Sequence, residues 1–388
     1  MTEDFDIREY GAQPDGKTLN TESIQGAIDD CHAAGGGRVV CGPGTYLIGS
    51  LLLKNNVELH LSRGCEIVGS TKLEDYEAFK APGFRGDYAP EHCTQSLIRG
   101  NEAENIAITG SGKINGSGLA FYDTRDKPGR FFRKPASPRP RMVMLYKCRN
   151  VLIEDTAFVD SPCWTFWLMK CEGVQIHRIR ITGDQRMINN DGIDLDSCRD
   201  VTVSNCLIRT GDDCLVLRAI QQMYDQPGVC ENIAISNCVL DSWCQGVRVG
   251  CPSDGTIRNC TFSNLTITST NNGILIENPK RYLLENEGRA DIHDILFSDV
   301  VLDCEHVPIK VFVEEGIELK RLSGFGFSNF RIRSGGPCQV IGCEETIIRD
   351  VRFSDIDIET SGEDPILLRY CQGVTLSNVS ISNRSRVQ

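Results

Sequence analysis

At 388 residues, with 40% hydrophobic and 24% charged side chains, the chain has the composition of an ordinary protein with an apolar core. A formal charge of −12 argues against a nucleic-acid binder or a partner of anionic membranes, and leaves any recognition of acidic groups to a local basic patch. No apolar run approaches the ~20 residues that a bilayer span needs.

The first residues, Met1-Thr2-Glu3-Asp4-Phe5, carry neither the basic segment nor the apolar run of a signal peptide. The 19 cysteines are an odd number, and many sit beside strand-like runs, as Cys148, Cys171, Cys198, Cys206, Cys230, Cys238 and Cys260 do. No CxxC pair occurs, so the sequence gives no reason to expect a zinc site, another metal or a cofactor. Cysteine used as a small buried hydrophobe explains the pattern and points to a reducing, cytoplasmic location.

In chain order, Asp6-Ile7-Arg8-Glu9-Tyr10 predicts a strand running into a turn at Gly11. Asn20 and Thr21 offer an N-cap to a helix whose apolar positions, Ile24, Ala27, Ile28 and Cys31, follow helical spacing. Gly35-Gly36-Gly37 ends that helix. Residues 1–55 therefore read as a cap and entry strands, with the helix closing an end of a β structure that would otherwise expose unpaired groups.

From residue 56 onward one sentence recurs: Asn105-Ile106-Ala107-Ile108, Asn150-Val151-Leu152-Ile153, Asp200-Val201-Thr202-Val203, Asn232-Ile233-Ala234-Ile235 and others. A second short strand usually follows, as in Ser204-Asn205-Cys206-Leu207-Ile208. Short strands, Asn or Asp at fixed corners and repeats roughly 20–30 residues long predict an all-β chain wound as a parallel β-helix. A β-sandwich or a leucine-rich repeat would not show this sentence. With no linker in sight, residues 1–388 are expected to form a single domain, 56–388 being the coils.

The chemistry concentrates in Asn189-Asn190-Asp191-Gly192 and Gly211-Asp212-Asp213. Asp191 and Asp212 recur one coil apart, which predicts carboxylates stacked on one outside face, an arrangement suited to glycosidic hydrolysis. Asp194, Asp196 and Asp200 are read instead as turn-capping residues. A third strand in each coil places Ile193, Leu215, Val247 and Ile274 inward, and Asp194, Val216, Arg248 and Leu275 outward. Trp164 and Trp167 fit either sugar stacking or core packing.

These segments, with Tyr10-Gly11-Ala12, Gly42-Pro43-Gly44 and Ser161-Pro162-Cys163-Trp164-Thr165, resemble glycoside hydrolase family 28, the polygalacturonase and rhamnogalacturonase group. The resemblance implies a right-handed parallel β-helix and an inverting mechanism, with Asp212 as general acid and Asp191 and Asp213 activating the attacking water. The chain departs from the family where a Gly-His-Gly is replaced by Cys244-Gln245-Gly246, and where an Arg-Ile-Lys is replaced by Leu275-Ile276-Glu277. The expected substrate contacts are therefore Asn189, Gln245, Arg248, Glu277, Lys280 and Trp164. Arg218, Arg248 and Lys280 are the available cations.

The expected function is hydrolysis of a pectin-like oligosaccharide, exo-acting rather than that of a standard endo-polygalacturonase, with loops 70–94 and 118–141 blocking one end of the cleft. Two further readings are a polysaccharide lyase on the same fold, which needs calcium and a catalytic base, and a non-catalytic glycan-binding β-helix. The expected partner is an oligosaccharide, with neither nucleic acid nor membrane. The sequence assigns no oligomeric state.

Overall fold

The computed structural model of the protein describes residues 3–125, 129–251, 253–279, 290–361 and 364–383. The chain winds as a parallel β-helix. One wall is an 11-stranded parallel sheet in which each strand pairs with that of the next coil in chain order, from Leu51–Leu53 to Ile366–Arg369. The remaining walls form a 21-stranded sheet.

No single coil can bury its inward face; the next coil covers it. The register pairs Ile193 with Leu215, Leu215 with Val247 and Val247 with Ile274. All four are buried in the core. Identical side chains also stack: the rings of Phe262, Phe297, Phe327 and Phe353 follow one another at 4.5, 5.4 and 5.1 Å, nearly parallel. The cysteines behave likewise. Cys148, Cys171, Cys198 and Cys230 each precede an in-register position (Arg149, Glu172, Arg199, Glu231) and lie fully buried as free thiols.

The recurring Asn and Asp mark corners where the backbone enters the left-handed region, at φ 56° for Asn105, 52° for Asn150, 55° for Asp200 and 57° for Asn232. Asn and Asp tolerate that conformation because their short side chains hydrogen-bond locally. Here they also bond from coil to coil: Asn105 to Asn56 at 2.8 Å, Asn150 to Asn105 at 2.7 Å and Asn232 to Asp200 at 2.9 Å.

At the N-terminal end the helix Thr21–Ala33 lays Ile24, Ala27, Ile28 and Cys31 on the core, against the strands Gly37–Cys41 and Leu51–Leu53. Two local expectations are corrected. The first strand covers only Asp4–Asp6, because the Asp6 carboxylate accepts the Arg8 N–H at 2.9 Å and starts a 3-10 turn over Ile7–Tyr10. Asn20 does not cap the helix with its side chain; its amide is bound to Gln13 and Thr18 in the preceding turn. Among the described residues, no helix is long and apolar enough to cross a membrane.

The corner geometry predicts an order of variants. Asn232→Val forces a β-branched residue into left-handed backbone and should cost about 1–2 kcal/mol, whereas Asn232→Gly loses only the ladder bonds to Asp200 and from Asn259 and accepts the φ. Thermal unfolding midpoints should therefore rank wild type, then Gly, then Val; a Val variant as stable as Gly would contradict this.

Candidate active site

The site lies where the strands Ile193–Asp196, Leu215–Arg218, Gln245–Gly250 and Asn272–Glu277 run side by side. Their outward row reads Asp194, Val216, Arg248, Leu275 and then Lys310 of the next strand, Val307–Phe312. A second row, two residues on, places Asp196 beside Arg218. The cleft above them holds about 710 Å³ and is lined by Asp191, Asp212, Asp213, Gln245, Arg248 and Lys310, among others.

Extending the Ile193–Leu215 register back two residues sets Asp191 opposite Asp213, not opposite Asp212. Both precede their strands, where the chain still turns, so strand alternation does not fix their direction. Asn190 holds the turn of the next coil: its side-chain amide oxygen Oδ1 accepts the N–H groups of Gly211 at 2.7 Å and Asp212 at 3.1 Å. Asn189, at φ 63°, donates its backbone N–H to the Asp212 carboxylate at 2.9 Å. Glycine is required at two points of this frame. A Cβ on Gly192 would lie 2.3 Å from the Cys214 carbonyl oxygen, and one on Gly211 would lie 2.4 Å from those of Gln185 and Met187.

Two buried guanidinium groups face the carboxylates. Arg218 donates to Asp194 at 2.9 Å, lies 3.6 Å from Asp191 and also binds the Cys251 carbonyl. Arg248 donates to Asp213 at 3.2 Å, to Glu277 at 2.5 Å and to the Cys251 sulfur at 2.8 Å. Glu277 thus carries its own counter-charge. Trp164 is 3% exposed, and its ring lies against the guanidinium groups of Arg141 at 4.1 Å and Arg218 at 4.3 Å. Trp164 also lines the cleft, and Trp167 packs edge-on against it at 5.5 Å in the core.

Asp194 and Asp196 are not turn caps. Both are fully buried strand residues; Asp194 is paired with Arg218, and Asp196 accepts the Ile220 N–H at 3.0 Å. Asp200 does stand at a corner. Gln245 lines the cleft, accepts from Asn272 at 3.0 Å and donates to the Cys244 sulfur at 3.0 Å. Lys280 lies outside the described residues. Tyr88, Pro90, Glu91 and Lys134 also reach the cleft, all from loops 70–94 and 118–141. Lys310 lies one coil beyond Leu275 in the same outward row, a position that counting coils along the sequence reaches.

Burial and crowding set the electrostatics. Burial, with the charges of Asp212, Asp194 and Asp213 adding to it, pushes Asp191 well above the carboxylate range, against the pull of Arg218. Asp212 is pushed up to about 6 by burial and then by Asp213, partly offset by the Asn189 N–H. Burial raises Asp194 to about 7 and Asp196 to about 6. A carboxyl group that keeps its proton toward neutrality, beside other carboxyl groups and a cleft, has the equipment of a general acid working with a base.

A family model, "Glycosyl hydrolases family 28", matches residues 58–387. The chain belongs to that family. Its members are glycosidases, and this protein is one, which sets aside the lyase and the non-catalytic binder. Among similar proteins, a "Probable polygalacturonase" of Vitis vinifera is 26% identical over 69% of this chain, and the match spans 56% of that protein's length. A "Polygalacturonase" of Gossypium barbadense is 25% identical, covering 93% of this chain and 85% of that protein. The crystal structure of an exopolygalacturonase from Thermotoga maritima superposes with a TM-score of 0.82 at 24% identity, covering 98% of this chain and 92% of that one. This last likeness confirms the β-helix; the family 28 assignment rests on the family model.

The raised values carry a stability consequence. An unfolded aspartate titrates near ~3.9. Because Asp212 sits at about 6 in the fold, its contribution to stability is full below the unfolded value and is lost as pH rises through about 6. Asp212→Asn should therefore raise the thermal midpoint more near pH ~7.5 than near pH ~4, by the equivalent of ~1–3 kcal/mol. Equal shifts at the two pH values would contradict a raised Asp212.

Proposed function

We propose that this family 28 chain is an inverting, exo-acting hydrolase of pectin-derived acidic oligosaccharides. The observation that carries the reading is Asp212, raised to about 6 and held by Asn189 at 2.9 Å in a cleft shared with Asp191 and Asp213. Asp212 gives its proton to the leaving glycosidic oxygen. Asp213, its carboxylate paired with Arg248, takes a proton from the water attacking the opposite face, and Asp191, which burial and its acidic neighbours keep protonated, positions that water. Relatives named polygalacturonase and exopolygalacturonase support a galacturonate-containing substrate.

Arg248 is committed to Asp213 and Glu277, so it does not grip the sugar carboxylate. That task falls to Lys310, two coil steps along the same outward row, its ammonium 4.2 Å from the Phe312 ring centroid and facing the cleft. Gln245 and Asn272 offer amides to the hydroxyls. Tyr88, Pro90, Glu91 and Lys134 wall one side of the cleft, which supports cleavage from a chain end. Free thiols throughout the chain support a reducing, cytoplasmic location.

Asp212→Asn should lower turnover on pectic oligosaccharides by about 10²–10⁴-fold while leaving the affinity for product little changed; near-normal turnover would refute the acid assignment. Lys310→Met should raise KM for acidic oligosaccharides about tenfold, the equivalent of ~1.4 kcal/mol, and leave neutral aryl glycosides alone. Products sized through the time course should be short from the outset; an early spread of intermediate lengths would mean endo cleavage.

A further inference from the structure

Cys244 stands out among the cysteines. It is half-buried and lines the catalytic cleft, whereas all the others except Cys371 are buried. One ligand atom each from Asp212, Asp213 and Cys244 lies within 4.8 Å of the other two. These residues come from two successive coils and share no CxxC spacing, so no linear motif announces the cluster.

A second observation falls on a member of the same cluster. Asp213 is 1% exposed, yet only one of its carboxylate oxygens is engaged, by Arg248; its Oδ1 is buried with no hydrogen-bond partner among the described residues. An orphaned carboxylate oxygen in so buried a residue is costly until a cation or a donor reaches it.

We propose that Asp212, Asp213 and Cys244 form a reversible inhibitory site for a thiophilic divalent cation of the zinc class. A sulfur and two carboxylate oxygens suit such an ion. Tetrahedral ligands around zinc stand about 3.3–3.7 Å apart, so a contraction of about 1 Å from the present limit completes three corners, and water takes the fourth. Binding releases the Cys244 thiol proton, and any proton on Asp212, to water. The thiolate and two carboxylates then carry three negative charges, of which the ion meets two; Arg248, bonded to Asp213, is shared with Glu277. The half-buried Cys244 and Asp212 leave the ion a path from solvent, so it exchanges.

The inference rests on the proposed reaction only in its consequence: an ion on Asp212 and Asp213 takes away both the acid and the base, and competes with substrate.

The test uses metal-free enzyme. Zn²⁺ should inhibit hydrolysis competitively and a chelator should restore it. Co²⁺ should give a sulfur-to-cobalt charge-transfer band in the same protein. Cys244→Ser and Cys244→Ala, each compared with its own uninhibited rate, should raise the inhibition constant at least about tenfold and lose the band. Absence of the band in wild-type protein, or equal inhibition in the variants, would overturn the proposal. Because the Co²⁺ spectrum is read without turnover, a failed metal site and a failed substrate assignment give different results.

Discussion

The site depends on two buried guanidinium groups. Asp191, Asp194, Asp213 and Glu277 are all buried at the foot of one cleft, and taking each charge out of water costs several kcal/mol unless a counter-charge meets it. Arg218 serves Asp191 and Asp194; Arg248 serves Asp213 and Glu277. Removing either cation leaves two buried acids without compensation. The aspartates nearest the chemistry are therefore held by pairing across coils, and a loop alone would not hold them so well.

The same arrangement separates their roles. Arg218 and Arg248 sit under Asp191 and Asp213, while Asp212 receives a backbone N–H and keeps part of its surface toward the cleft. Asp212 is thus free to exchange a proton with a ligand, and the crowd around it keeps that proton available toward neutrality. This division between anchored and accessible carboxyl groups is what hydrolysis with one acid and one base needs.

Much of this was legible in the sequence. The repeating corners, the inward row Ile193, Leu215, Val247, Ile274 and the two acidic segments all follow from local pattern, because the alternation of a strand and the left-handed tolerance of Asn are properties of single residues. The pairing of Arg248 with Glu277 was not legible. It depends on the register between coils whose connections differ in length, and on side chains that reach across a row. The same reason hid Asp194 as a buried ion-pair member, Lys310 as a cleft cation and Cys244 as a neighbour of Asp212. It also hid the guanidinium groups of Arg141 and Arg218 that lie against the ring of Trp164 at the cleft.

The most direct test of an acid and a base acting from opposite faces of the sugar is the configuration of the first-formed product. Proton NMR of pectic oligosaccharide hydrolysis, recorded faster than mutarotation, should show the anomer opposite to that of the cleaved bond. The retained anomer would mean that one carboxylate attacks the sugar directly, and would contradict the assignment of Asp212, Asp191 and Asp213 made here.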